Sequence, residues 1–386
     1  MNNSTVAPKS ERLFSLDLLR GLDMLFLCVA QPLIMAAAAA WGFSDVSAHP
    51  FMRQFHHYWG GFTAYDLIMP LFIFMCGAAV PFALTKRLDA EGRPTAAFWK
   101  HIAWRFVMLW VLGMFTGGRL RTCDPSKFCY FTNTLQSIAI GYVIAALVLL
   151  IRSRRVQVSV TVALAAAYGL LLHFGGDYTA QGNLAMKVDM FFVNLFQPAG
   201  HDTGTYTWYL TSLMFGTMTL CGMHATQILQ SDRAPWRKAG LLGAYGAALW
   251  AGGLVLEWIG VPCIKHIFSV SFTAQAMGVS VLLLAALYVV SDIWRIRRGW
   301  WLVTLYGQVA LASYVIGMMF RGIPSAASKS VFGGLAKRIG SPWEDFVLQV
   351  GTCVALTFFL WVWRARRPVA FRGYTFGYLS GGGEKL

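Results

Sequence analysis

The sequence predicts an all-α fold, a polytopic membrane bundle of about ten transmembrane helices. Of its 386 residues, 57% are hydrophobic and only 13% are charged, which is far too apolar for a soluble domain of this length. In addition, apolar stretches of roughly 17 to 25 residues recur along the chain, each long enough to cross about 30 Å of hydrocarbon as a helix. We therefore expect one transmembrane domain over residues 1–386, with no soluble domain appended.

Each predicted span is an apolar run bounded by polar or charged connections. In chain order the runs lie near 16–38, 64–84, 101–117, 134–151, 157–174, 207–229, 238–257, 268–291, 300–320 and 345–363. Lys and Arg support this division because they are about twice as frequent in alternate connections, as expected when those connections face the cytoplasm. The pattern predicts ten spans with both termini cytoplasmic.

The four longest connections, 39–63, 118–133, 175–206 and 321–344, all fall on the opposite, outer face. Long connections in a compact protein tend to be functional, so this face is expected to receive a substrate. The net charge of +15 is explained by topology and by attraction to anionic lipids, and it does not imply nucleic-acid binding. Cys123 and Cys129 lie in an outer connection, where a disulfide and two free thiols both stay open.

Ionisable residues inside a span are functional candidates by default. In SLDLLRGLD, Asp17 and Arg20 stand three residues apart, so they share a helix face and can form an ion pair. One interpretation is an interfacial salt bridge at the start of the helix, capped by Ser15. The other is an anion site near the inner leaflet, in which Arg12 and Arg20 supply forked donors.

A second polar group lies in the outer stretch HHYWGGFTAYDL, residues 56–67. Thr63 is placed to cap the following helix, and Asp66 would then lie in its first turn, where the macrodipole favours a carboxylate. A histidine paired with a carboxylate in a dry pocket is also how a general base is oriented. Because adjacent histidines cannot both face one pocket, we expect one of His56 and His57 to be a candidate catalytic residue.

Other polar residues gather at the outer ends of spans. Asn133 and Gln136 open the fourth span, Asn183 lies in an outer connection, and Lys265 and His266 precede the eighth span. Taken singly, each is typical of a helix cap or an interhelical hydrogen bond. The histidines and cysteines lack metal-ligand spacing, so no metal is expected. No G-x-S-x-G elbow or P-loop supports a hydrolase or an ATPase.

Four stretches together resemble the transmembrane acyltransferases related to heparan-α-glucosaminide N-acetyltransferase. They are RLFSLDLLRGLDM, HHYWGGFTAYDLIMPLFIFMCGAAVPFAL, NTLQSIAIGYVIAAL and IKHIFSVSF. The second is the most specific, because it matches the family motif H-x-x-W-x-G-(aromatic or Leu)-T-x-x-D-L. The resemblance implies that His56 is the active-site histidine, followed in register by Trp59, Gly61, Thr63 and Asp66.

The resemblance also implies roles for further residues. His56 would take the proton of the acceptor or carry a transient acetyl group, and both routes stay open. Gln31 stands where the eukaryotic members have an active-site Asn, and the longer loop 39–55 is expected to reshape the acceptor pocket. The expected catalytic residues are His56, Asp66 and Gln31; the expected acetyl-CoA contacts are Ser15, Asp17, Arg20 and Gln136; and the expected acceptor contacts are Trp59, Thr63, Asn183 and Lys265.

These implications predict an acetyltransferase in a bacterial inner membrane. It would move the acetyl group of cytosolic acetyl-CoA to an amino sugar or another glycan acceptor on the periplasmic side, by N- or O-acetylation. Its partners would be acetyl-CoA, the acceptor, membrane lipids and, as in the family, a second copy in a homodimer. The alternative is a proton-coupled transporter or flippase in which His56 and Asp66 form a proton relay.

Overall fold

The structure, a computed structural model, describes residues 13–43, 49–56, 58–116, 120, 130–196 and 206–366. The predictions for Arg12, His57, Cys123 and Cys129 lie outside these residues. Over the described ranges the chain is helical and contains no β-strand. The α-helices are α1 (Phe14–Leu25), α2 (Gln31–Ala40), α3 (Pro50–Arg53), α4 (Ile68–Leu84), α5 (Ala96–Thr116), α6 (Thr134–Leu149), α7 (Arg154–Gly175), α8 (Leu184–Phe196), α9 (Ser212–Leu229), α10 (Pro235–Trp258), α11 (Val270–Tyr288), α12 (Trp301–Gln308), α13 (Ala310–Tyr314), α14 (Gly322–Ile339) and α15 (Glu344–Ala365).

Several of these helices are long and apolar enough to cross a bilayer. Within the described residues there are six: Phe14–Ala40, Ala64–Arg87, Arg154–Gly175, Pro235–Trp258, Val270–Ile293 and Glu344–Ala365. A seventh candidate is the pair Trp301–Gln308 and Ala310–Met319, which is bent by 88°. The remaining three predicted spans coincide with α5, α6 and α9. The chain is thus a membrane-embedded helical protein with helices at every predicted position.

Besides the four-residue α3 in the connection 39–63, two longer helices lie in connections that were predicted without them. α8 occupies part of the connection 175–206, and α14 occupies most of the connection 321–344. α14 packs against α15, and Ser328 Oγ donates a hydrogen bond of 2.6 Å to the Leu348 carbonyl oxygen. The sequence of α14 is weakly apolar and rich in Gly, Ser and Lys, so a search for apolar runs does not detect it.

The start of α1 differs from the prediction. Leu13 is the N-cap residue and Ser15 lies inside the helix, so Ser15 is not the cap. Instead, the Asp292 carboxylate, just beyond the end of α11, accepts the backbone N–H groups of Phe14 at 3.2 Å and Ser15 at 3.0 Å. A side chain from a distant part of the chain therefore satisfies two donors that a local hydroxyl was expected to satisfy.

α4 is the central helix of the bundle. From Pro70 to Leu84 every residue is buried, and α4 packs against α1, α6, α9 and α11. Its closest neighbour is α9, where a Cβ atom on Gly77 would lie 1.8 Å from the Thr219 carbonyl oxygen and one on Gly222 would lie 2.0 Å from that of Phe74. Two glycines thus let the α4 and α9 backbones touch. We call this contact the α4–α9 seam.

Candidate functional site

A cavity of about 210 Å³ lies at the end of the bundle where α4 begins. The residues lining it are mostly apolar or aromatic and come from six parts of the chain: Met24, Leu27, Tyr65, Ile68, Met69, Phe72, Thr134, Tyr206, Trp208, Lys265, Tyr314 and Met318. Lys265 is the one charged residue among the described lining residues. An apolar cavity with few, convergent polar groups is the usual form of a ligand site.

Lys265 is held by the carboxylate of Asp66. Its Nζ lies 3.2 Å from Asp66 Oδ1, and the two side chains are only 5% and 1% exposed. The ammonium also lies over the Tyr65 ring, 5.6 Å from its centroid. Removing two charges from water is costly, so a buried pair persists only where hydrogen bonds complete its coordination.

The backbone before α4 supplies those hydrogen bonds. Asp66 Oδ2 accepts the Thr63 N–H at 3.0 Å and lies 2.8 Å from the Thr63 hydroxyl. Thr63 is the N-cap residue of the short 3₁₀ turn Ala64–Leu67, which continues into α4, and Asp66 is the third residue of that turn. The predicted positions of Thr63 and Asp66 at the helix start are therefore confirmed. The carboxylate has both oxygens engaged, one toward the backbone and one toward Lys265.

Burial in this apolar site changes the protonation of Lys265. It lowers the pKa of the ammonium from its ordinary value to about 8, while the Asp66 carboxylate acts in the opposite direction and raises the pKa. The Lys265 side chain is thus a cation at pH 7, and it loses its proton when the pH rises through about 8. Such a group can donate a hydrogen bond to an oxygen that becomes negative during a reaction.

Three aromatic side chains, two of them stacked, form a cluster beside the ion pair. The rings of Trp59 and His266 are stacked with centroids 5.2 Å apart, and the ring centroid of Tyr206 lies 4.4 Å from that of His266. Trp59 Nε1 donates to the Tyr178 carbonyl oxygen at 3.1 Å, which fixes the indole in place. His266 is the histidine that the structure brings to the site, although no spacing in the sequence distinguishes it from other histidines.

Main-chain hydrogen bonds join the segments that carry these side chains. The Gly61 N–H donates to the Cys263 carbonyl oxygen at 2.8 Å, and the Thr207 N–H donates to that of His266 at 3.1 Å. Gly61 has a φ of +98°, a conformation that favours glycine. The segment before α4 and the segment before α11 are thereby held side by side, and Asp66 meets Lys265.

Asp189 supports the same region from α8. Its carboxylate accepts the backbone N–H groups of Trp208 at 2.6 Å and Tyr209 at 3.0 Å, and Trp208 lines the cavity. In the sequence Asp189 is only a polar residue in an outer connection. Its partners lie some twenty residues further on, a spacing that follows no helical or strand period.

The expected pair of His56 and Asp66 is not formed. The His56 side chain is exposed, and the residue is linked to the site through its carbonyl oxygen, which lies 3.1 Å from the Thr63 hydroxyl. The Asp66 carboxylate contacts Lys265 and Thr63 instead. The physical reason is the hydrogen bond between Gly61 and Cys263, which brings a stronger electrostatic partner to the carboxylate from a distant part of the chain.

Three amide side chains predicted to lie at the site are not among the cavity-lining residues that the structure describes. Gln31 begins α2, one turn beyond Leu27, and is half-buried. Gln136 accepts from the Thr132 N–H and donates to the Tyr130 carbonyl oxygen, so it fixes the entry to α6. Asn183 donates to the carbonyl oxygens of Thr179 and Ala180 and accepts from the Met186 N–H, so it fixes the start of α8.

The predicted ion pair on α1 is confirmed, at a position separate from the cavity. Arg20 Nη1 lies 4.0 Å from Asp17 Oδ1, and both side chains are buried rather than interfacial, at 7% and 5% exposure. A second buried arginine, Arg105 of α5, places its guanidinium 4.1 Å from the centroid of the Tyr142 ring and 3.4 Å from Cys76 Sγ. With Lys265, the described part of the bundle thus contains three buried cations.

Within the ranges that the structure covers, no three His, Cys, Asp or Glu side chains gather in a way that would hold a metal ion.

Comparison with known proteins relates the N-terminal part of the chain to a family. Residues 12–176 match a family described as a domain of unknown function, DUF5009. The matched segment contains α1 to α7 with Trp59, Thr63 and Asp66, but it ends before Lys265 and His266. A search of the curated proteins finds no match to the chain.

Proposed function

We propose that the protein is a transmembrane acetyltransferase, which moves the acetyl group of cytosolic acetyl-CoA to a sugar or glycan acceptor across the membrane. The acceptor group is an amine or a hydroxyl. In this proposal the chain crosses a bacterial inner membrane ten times, both termini are cytoplasmic, and the cavity faces the periplasm.

One observation carries the proposal: two separate stretches that resemble the acyltransferase family form a single site. Trp59 and Asp66 belong to one stretch, Lys265 and His266 to the other, and they meet through a ring stack and an ion pair. Of these residues Lys265 lines the cavity, and the other three contact it or one another directly behind the lining. The convergence supports a role for both stretches in chemistry.

The reaction requires an attack of the acceptor oxygen or nitrogen on the thioester carbonyl carbon. The new bond to carbon forms, the C–S bond breaks, the acetylated acceptor is released, and the CoA sulfur leaves and is protonated to the thiol. In the proposal the Lys265 ammonium donates to the carbonyl oxygen as negative charge develops there, and Asp66 holds Lys265 in position. His56, whose carbonyl oxygen contacts the Thr63 hydroxyl, receives the proton of the acceptor in the proposal.

The test uses purified full-length protein, with thermal shift for acetyl-CoA binding and free-thiol release for turnover. We expect acetyl-CoA to raise the melting temperature and His56→Ala to lower thiol release by about 10²-fold or more, the usual contribution of a positioned base. Lys265→Met is expected to lower it by about 10²–10³-fold, as for other lost oxyanion donors. Lys329→Gln, which alters an exposed lysine on α14, is the control and should keep the wild-type rate.

The same assays separate this function from transport. Absence of both stabilisation by acetyl-CoA and thiol release would reject the acetyltransferase. Proton-coupled uptake of a sugar into vesicles, abolished by Asp66→Asn, would then favour the transporter.

A further inference from the structure

The orientation of the ion pair bears on which acceptor the site receives. Lys265 lines the cavity, whereas Asp66 is not among its described lining residues. The carboxylate lies behind the ammonium, with Oδ1 toward Nζ and Oδ2 toward the Thr63 N–H and hydroxyl. A group inside the cavity therefore meets the positive member of the pair first.

Coulomb interactions in such a place are stronger than in water. The lining is mostly apolar, so charges near Lys265 are weakly screened and a second cation close to its ammonium is disfavoured. A protonated amino sugar brings such a cation to the reacting centre. A hydroxyl group brings no charge, and its oxygen can accept a hydrogen bond from Lys265 before the reaction.

The dimensions and the rings of the site agree with a small acceptor group. The cavity of about 210 Å³ is smaller than the roughly 300–1,000 Å³ typical of pockets for drug-sized ligands, so it suits a group of the size of one sugar ring. Tyr65, Tyr206 and Trp208 line the cavity and provide aromatic surface within it, and the Tyr206 ring contacts the ring of His266. This surface can pack against the C–H face of a sugar without requiring a charge on the ligand.

We propose that the acceptor group is a hydroxyl on a sugar that carries no cationic amine, so that the product is an O-acetyl ester, and that Lys265 selects against a protonated amine. The inference rests on the proposed acetyltransferase function. The hydroxyl oxygen forms a bond to the acetyl carbon, the hydroxyl proton passes to the base, and the C–S bond of acetyl-CoA breaks to give CoA as the thiol.

The experiment compares two matched acceptors with purified full-length protein and acetyl-CoA. N-acetylglucosamine and glucosamine share a ring and its hydroxyl groups, but only glucosamine is cationic at pH 6.5, since amines of this kind titrate near the α-amino range of about 7.7–8.0. We expect thiol release with N-acetylglucosamine to be at least tenfold faster. The purified product should be an ester, which alkaline hydroxylamine cleaves, whereas an amide would resist it.

A double variant tests the part played by the ion pair. Asp66→Asn with Lys265→Gln removes both charges at similar side-chain volume, and we expect it to reduce the preference for N-acetylglucosamine to within about threefold of parity, even where both rates are low. Lys329→Gln is the matched control on an exposed lysine and should keep the wild-type ratio.

The outcomes are distinct. Faster release with glucosamine, an amide product, or an unchanged ratio in the double variant would overturn the inference while the acetyltransferase stands. If acetyl-CoA binds but releases no thiol in the presence of either sugar, the inference is also overturned, because the cavity would then not accept a hexose. If acetyl-CoA does not bind and no free CoA is released under any condition, the proposed function itself is rejected.

Discussion

A lysine in an apolar cavity depends on its carboxylate partner, and the partner depends on the lysine. Lys265 and Asp66 are both buried, and each is the other's ionic contact at 3.2 Å. Removal of one takes the ionic partner away from the buried charge of the other, a change that typically costs about 3–5 kcal/mol. The pair is therefore best tested as a unit.

We expect Lys265→Met to destabilise the purified protein and to lower its melting temperature. The double variant Asp66→Asn with Lys265→Met should recover much of the loss, because it leaves no buried charge. Thermal unfolding of the two single variants and the double variant in one detergent is the measurement. Additive losses in the double variant would contradict the coupling of the two side chains.

The pH dependence of thiol release follows from the pKa of Lys265. Burial lowers this pKa to about 8, so the ammonium is present below that pH and is lost above it. As the proposed donor, it should give a rate that falls as the pH rises through about 8. The titratable groups near Lys265 include Asp66, Tyr65 and Tyr206, together with Cys263 and His266 on its own segment. Burial raises the pKa of Tyr206 above its ordinary range.

Two variants test whether Lys265 causes this fall in rate at alkaline pH. Lys265→Arg keeps a cation at all these pH values, so its remaining activity should not fall near pH 8. Asp66→Asn removes the group that raises the Lys265 pKa, so the rate of this variant should begin to fall at a lower pH. If the rate of thiol release falls near pH 8 in both variants as it does in the wild type, another residue is responsible for the titration.

Backbone contact is the feature that matters most at the level of helices. At the α4–α9 seam, a Cβ on Gly77 would overlap the Thr219 carbonyl oxygen at 1.8 Å, so that even alanine requires the two helices to move apart. Not every helical glycine has this role. At Gly240 of α10, no atom from the other parts of the chain that the structure describes lies within 4 Å of the position that a Cβ would take.

We expect Gly77→Val to destabilise the protein by about 1–3 kcal/mol or more, the range for overpacked cores, and to reduce its yield in folded form. Gly240→Val is the matched control and should have a small effect. Melting temperature and monodispersity after purification are the measurements. Equal behaviour of the two variants would show that the close approach of α4 and α9 is dispensable.

Apolar run length was sufficient to predict most of the helices, because crossing a bilayer requires a minimum number of consecutive apolar residues. It did not predict α14, whose stability comes from packing against α15, or the 88° bend near Gln308. Local motifs at the start of α4 were also predictable, since Thr63 and Asp66 interact over three residues. The distant partners of Asp66, Trp59 and Asp189 could not be predicted from the sequence, because tertiary contacts determine them.

At the scale of the whole molecule, the number of membrane crossings decides which segments share a side. The cavity combines segments before α4, before α9 and before α11, and they meet in space. Six helices, or seven with the bent pair, meet the length and hydropathy requirements within the described residues. The proposed count of ten requires that α5, α6 and α9 cross as well.

Reporter fusions test the crossing of α9. We expect alkaline phosphatase fused after Thr179 to be active, because it would lie in the periplasm, and the same enzyme fused after Ser231 to be inactive. α9 is the helix between these positions that must cross for the two to lie on opposite sides. Activity at both positions would remove α9 from the set of membrane spans and place Lys265 on the side opposite to that proposed.

The α4–α9 seam also restricts where a molecule could travel through the bundle. Because two backbones touch there, neither a lipid tail nor a chain of waters fits between them. The cavity lies on another flank of α4, among side chains of α1, α6 and the segment after α13 that are flexible or small, including Met24, Thr134 and Met318. In the proposed acetyltransferase, a thioester arm that reaches the cavity along this flank of α4 would pass these side chains, and larger side chains there would restrict the length of the acyl group delivered.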